Sequence, residues 1–113
     1  MPEVTTTVDI DVHHDADNHR YEASVVVHGE TRVVGVLRYE RVDGVVTVPS
    51  TVVVPEYRGC GVAAALTAHV LDDVRAEHLL IRPECWYVAQ WLDRHPEFAD
   101  VVWSPDADQG TMG

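Results

Sequence analysis

The sequence predicts an α+β domain: a mostly antiparallel sheet of about five strands, with a central helix and a second helix after strand five. Three observations predict it. Valine dominates the apolar residues, and β-branched side chains favour pleated, half-buried surfaces. The hydrophobic period changes after Pro55 from two to between three and four. A short apolar run, Leu79-Leu80-Ile81, then separates two helical stretches.

Taken in order, Val8, Ile10 and Val12 alternate with Asp9 and Asp11, giving a first strand from Val8 to His13. His13 to His19 is polar and reads as a loop. Tyr21 to Val27 is a second strand, and His28-Gly29-Glu30 turns the chain into a third, Arg32 to Arg41, with Val34, Val36, Leu37 and Tyr39 as inward candidates. The Asp43-Gly44 pair is a strong hairpin signal. A fourth strand follows from Val45 to Val54, in which Pro49 implies a bulge or an edge. From Gly61 to Glu77, Val62, Leu66, Val70, Leu71 and Val74 recur on one helical face. Leu79 to Ile81 suits a buried fifth strand, parallel to its neighbour after the helical crossover. Pro83-Glu84 is placed to open the second helix, which carries Val88, Trp91 and Leu92 and ends before Pro96. A further helical turn is expected from Pro96 to Asp100.

A chain of 113 residues supports one domain and one core. We expect a flexible N-terminus over 1–6, the folded domain over 7–103 and a disordered tail over 104–113. Nineteen acidic residues against eight basic ones give a net charge of −11, and all eight are arginine. A phosphate-neutralising basic stripe is missing, so nucleic acid is not an expected partner. The two cysteines, Cys60 and Cys85, have neither metal-ligand nor disulfide-framework spacing. Neither a signal peptide nor a run of about 20 apolar residues is present, so a cytoplasmic, non-membrane location is expected.

The chemistry concentrates in Val52-Val53-Val54-Pro55-Glu56-Tyr57-Arg58-Gly59-Cys60-Gly61-Val62-Ala63, where a strand ends, a glycine turn follows and a helix begins. The first amides of a helix lack internal partners and carry partial positive charge, so this is a phosphate-binding arrangement that glycines leave accessible. The dinucleotide fingerprint and the P-loop do not fit, for want of a third glycine and of Gly-Lys-Ser/Thr. Arg58-x-x-Gly61-x-Ala63 resembles the Arg/Gln-x-x-Gly-x-Gly/Ala pyrophosphate loop of the Gcn5-related N-acetyltransferases, which joins strand four to the central helix. The segments Arg82-Pro83-Glu84-Cys85-Trp86-Tyr87-Val88 and Arg94-His95-Pro96-Glu97-Phe98 look like those of the compact, single-domain members of that group. The resemblance spans about Val8 to Val102.

It implies acetyl-CoA as cofactor, with the pantetheine along Val53 and Val54 and the pyrophosphate on Arg58, Gly59, Cys60, Gly61, Val62 and Ala63. It also implies acyl transfer to the amine of a small molecule or protein, on an open acceptor side, because the chain is too short for the extra elements of larger relatives. Two departures stand out. Ser50-Thr51 occupies the place of a common His-Thr pair, and Cys60 that of a common Arg or Lys. They favour an alternative, a non-catalytic acyl-CoA-binding or regulatory module of the same fold.

Cys85 is the catalytic candidate. The resemblance puts a proposed catalytic cysteine there, and the start of a helix favours the thiolate, as nucleophile or base. Packing is the competing role, since buried cysteine is a common filler. His13, His14, Asp15, Asp17 and His19 invite a metal reading, but a calcium loop from Asp15 would need glycine at Arg20 and glutamate at Val26. No metal site is expected. Trp86, Tyr87 and Trp91 read as core and cleft lining.

Overall fold

The computed structural model describes residues 9–104, so the expected flexible segment 1–6, Val8 and the expected tail beyond Ser104 lie outside the described residues. The strands are β1 (Asp11–Asp15), β2 (Arg20–Val27), β3 (Glu30–Val42), β4 (Val45–Val53) and β5 (Leu80–Pro83), and the helices α1 (Val62–Ala76) and α2 (Trp86–Asp93). Short 3-10 turns cover Ala16–Asn18, Pro55–Tyr57 and Pro96–Val101. Sheet order is β1-β2-β3-β4-β5: the first four strands are antiparallel neighbours, and β5 lies parallel to β4. The expected five-stranded, mostly antiparallel sheet with two helices is the architecture found.

Local chemistry explains the joints. Asp43 and Gly44 both have positive φ (53° and 80°), the conformation a two-residue hairpin matched to strand twist requires. The β3–β4 register shifts between Arg38 and Glu40, opposite the stretch holding Pro49, which has no amide hydrogen to give the ladder. A second shift, between Ala23 and Ser24, leaves Val34 as an extra residue on β3. It breaks the alternation on that strand. Val34 and Leu37 are fully buried, whereas Val36 and Tyr39 are only half-buried.

The core lies between the sheet and α1. Val62, Leu66, Val70, Leu71 and Val74 are buried against Tyr21, Ala23, Leu37, Val46 and Val48. The β-branched residues of α1 are mediocre helix formers, each costing at most about 0.7 kcal/mol against alanine. Burying a valine or leucine side chain contributes about 1.5–3 kcal/mol, so packing decides the helix. Gly35 lets α1 approach the sheet: a Cβ there would stand 2.6 Å from Val62 Cγ1 and 3.2 Å from Leu66 Cδ1.

Three local features differ from or extend these expectations. β1 runs to Asp15 because His14, opposite Tyr21, stacks on that ring at 4.1 Å and lies 2.6 Å from the Tyr39 hydroxyl. Tyr21 in turn donates to Asp73 Oδ2 at 2.6 Å. Pro83 ends β5 instead of opening α2: the amides of Glu84 and Cys85 both donate to the Val48 carbonyl, at 3.1 and 2.7 Å, and keep the chain off the helical path until Trp86. After Val101 the chain returns along β5, where Val102 bridges to Ile81 and the Trp103 amide donates to the Ile81 carbonyl at 2.8 Å.

Candidate functional site: a cleft between β4 and β5

β4 and β5 pair only from Val45↔Leu80 to Val48↔Pro83. Beyond that, the Val48 carbonyl holds the amides of Glu84 and Cys85, β4 runs on to Val53, and the other chain turns away into α2. The strands part and leave a cleft of about 730 Å³. In an antiparallel ladder, peptide groups point alternately to the two neighbours. The Val54 amide donates to the Val34 carbonyl at 2.8 Å, so the peptide groups of Thr51 and Val53 point the other way, into the cleft.

One end of the cleft is the turn before α1. The amides of Tyr57, Arg58 and Cys60 are consumed within the turn by the carbonyls of Val54, Pro55 and Tyr57. Gly59 and Gly61 have φ of 84° and 87°, and a Cβ on either would meet nothing within 4 Å. Gly61 is the N-cap of α1, no side chain caps that helix, and its first intrahelical bond runs from Ala65 N to the Gly61 carbonyl at 3.0 Å. The amides of Val62, Ala63 and Ala64 are therefore left without intrahelical partners at an accessible helix end, where the dipole attracts anions. These three residues line the cleft together with Arg58, Gly59 and Gly61.

At the other end stands Cys85. It is the N-cap of α2 and 9% exposed, and its sulfur is directed at β4, 3.5 Å from Thr51 Oγ1. Glu84, Trp86 and Tyr87 line the cleft beside it. Of the residues expected to meet a cofactor, Val53, Arg58, Gly59, Gly61, Val62 and Ala63 all line this one cavity. Val54 and Cys60 do not: the Val54 amide belongs to the sheet, and Cys60 is exposed with its amide spent on Tyr57.

The aromatic expectations divide. Trp86 is 71% exposed and belongs to the cleft wall, not the core, because the helix starts immediately at Cys85 and leaves its first residue outside. Trp91 lies away from the cleft, stacked on His95 at 3.7 Å. The Cys85–Thr51 contact was missed in the sequence. Its signal was available as a polar residue, Thr51, in an otherwise valine-rich strand end. Among the described residues, no group of three or more His, Cys, Asp or Glu side chains is placed to hold a metal ion. Nor is any helix of the described residues long and apolar enough to cross a membrane.

The strand–turn–helix segment and the parted strands both lie within residues 20–101, and those residues match the family model for GCN5-related N-acetyl-transferase. The chain belongs to the GCN5-related N-acetyltransferase family. The NMR solution structure of a GCN5-like protein from Staphylococcus aureus has the same fold, with a TM-score of 0.60 and 19% identity. That similarity covers 88% of this chain and 92% of the other. No curated protein matches the sequence significantly. Within this GCN5-related domain, the two ends of the cleft are chemically different: amides and an arginine at one, a buried thiol and a carboxylate at the other.

Proposed function

We propose that the chain is an acetyl-CoA-dependent N-acetyltransferase, transferring an acyl group to an amine. One observation carries this reading. The parted strands open directly onto the uncapped N-terminus of α1, so one continuous cleft offers strand-edge peptide groups and then helix-end amides. An extended amide chain ending in a pyrophosphate is the shape and chemistry that such a cleft fits. Glycines at 59 and 61 leave the space that a side chain would otherwise occupy.

Bound acetyl-CoA supplies the acyl group as a thioester. In this reading the Thr51 and Val53 peptide groups hold the pantetheine amides, and Arg58 with the amides at Gly59 and Gly61–Ala63 holds the pyrophosphate. Cys85, at the far end of the cleft, stands where acyl transfer takes place, and its thiolate serves as nucleophile or base. Cys60 lies outside the cleft and takes no part. A cytoplasmic setting suits free thiols at both cysteines. The second reading, a non-catalytic acyl-CoA-binding module, is favoured by Ser50 in the position where relatives commonly have histidine.

Two measurements decide. Calorimetric titration with CoA tests the cleft, and free-thiol release from acetyl-CoA in the presence of an amine panel tests turnover. CoA binding without thiol release leaves the binding module. Failure to bind CoA removes both readings.

A further inference from the structure

Two charged side chains line the cleft, and they are opposite in sign and at opposite ends. Arg58 stands at the α1 end, and Glu84, whose amide is pinned to the Val48 carbonyl, at the Cys85 end. Two residues on from Glu84, Trp86, 71% exposed, presents an aromatic ring to the same cavity. An aromatic face beside a carboxylate is a favourable setting for an organic cation. Glu84 does have a neighbour, Arg82, at 3.5 Å, but both side chains are about half exposed. The Arg82 guanidinium also lies over the Trp103 ring at 4.8 Å. Such a pair is screened and weak, and a cationic ligand can compete with it.

We propose that the acceptor is a small amine carrying a second cationic group, held at the Cys85 end of the cleft by the Glu84 carboxylate and the Trp86 ring. This rests on reading the cleft as an acyl-CoA site. The charge logic requires the second cation. The nitrogen that attacks must be neutral: it forms a C–N bond to the acyl carbon while the C–S bond breaks, the electron pair leaves on the CoA sulfur, and the proton lost by nitrogen restores the thiol. A carboxylate that held the attacking nitrogen as ammonium would hold its unreactive form. Glu84 therefore serves binding by gripping a different, permanently protonated nitrogen of the same molecule. The net charge of −11 adds long-range attraction for such a ligand.

The test uses the whole chain saturated with CoA and titrated with 1,4-diaminobutane or the uncharged 1,4-butanediol, with NMR following the indole N–H groups. Diaminobutane is expected to shift the Trp86 signal and to bind about fivefold or more tightly than butanediol. Glu84→Gln and Trp86→Ala should each remove that preference without changing CoA affinity. Glu30→Gln, an exposed acidic site at the start of β3, should keep it. In turnover, Glu84→Gln should raise KM for diaminobutane and leave kcat in place. Equal binding of diaminobutane and butanediol, or an equal loss in Glu30→Gln, overturns the proposal. So does a fall in kcat for both diaminobutane and butylamine in Glu84→Gln, which would make Glu84 a base. CoA-induced shifts without any diaminobutane response sink this proposal alone, whereas absence of CoA-induced shifts sinks the cleft reading beneath it.

Discussion

Cys85 and Thr51 face each other across the opening between β5 and β4, sulfur to hydroxyl at 3.5 Å, beyond the point where the two strands stop pairing. The contact exists because the Val48 carbonyl fixes the Cys85 amide at 2.7 Å while β4 is displaced in register around Pro49. A buried thiol is thereby given one polar neighbour and one open side.

The first prediction concerns the two thiols. Cys85→Ala should bind CoA as the wild type does and lose acyl transfer by roughly a hundredfold or more, the scale of a lost nucleophile or base. Cys60→Ala should keep both properties, since Cys60 lies outside the cleft. Steady-state thiol release from acetyl-CoA checks it, and a fully active Cys85→Ala would reduce that residue to packing.

Thr51→Val tests the pairing itself. Removal of the hydroxyl should change the rate of Cys85 alkylation by iodoacetamide, because the sulfur loses its hydrogen-bond partner. CoA affinity should stay the same. An unaltered alkylation rate would show that the 3.5 Å contact is incidental.

Gly61→Val should weaken CoA binding by at least about tenfold, ~1.4 kcal/mol. The substitution places a side chain at φ 87° on the N-cap of α1, where the helix-end amides must remain accessible. Backbone strain alone costs about 1–2 kcal/mol in stability. Gly44→Val, at φ 80° in a hairpin outside the cleft, supplies the same kind of strain and should leave CoA affinity untouched. Equal calorimetric Kd values for Gly61→Val and wild type would rule out the loop as the phosphate site.

Alkaline stability depends on Tyr21. Burial, followed by the hydrogen bond to Asp73, raises its phenol well above the ordinary tyrosine range. A group whose folded-state pKa is raised contributes stability fully below its unfolded value, here near 10, and loses it as pH rises further. Thermal unfolding should therefore show Tm falling above about pH 10 in the wild type. Tyr21→Phe should be less stable at neutral pH, by about 1 kcal/mol for the lost hydrogen bond, but show a shallower alkaline decline.

Gly35 is the fifth test. Its missing Cβ would sit 2.6 Å from Val62, so Gly35→Ala must push α1 off the sheet. A loss of about 1–3 kcal/mol is expected in denaturant unfolding, the usual scale of overpacking. Wild-type stability would show that the helix can shift freely.

Much of the fold could be read from side-chain period alone. The alternation in β2, the Asp43-Gly44 hairpin and the α1 face of Val62, Leu66, Val70, Leu71 and Val74 are local signals and were found where local signals put them. The errors are tertiary. Pro83 reads as a helix opener because nothing near it in sequence announces that the Val48 carbonyl will hold the next two amides. His14 reads as loop because its partners, Tyr21, Tyr39 and Asp73, arrive from three other elements. The cleft was legible as the glycine turn and Cys85. Thr51 and Trp86 gained their places from the parting of two strands, which no local pattern encodes.

The sheet order repeats the chain order, so every strand meets its neighbour through a short turn except the last. Joining Val45 to Leu80 requires the whole of α1 to cross over first, which makes the parallel pairing the entropically most expensive closure within the sheet. The cleft is defined by where that pairing stops. Its two walls thus come together only when that pairing has formed, and a chain with its hairpins alone presents no site to a cofactor. A molecule that binds across the seam therefore stabilises the one junction of the sheet that no short turn secures.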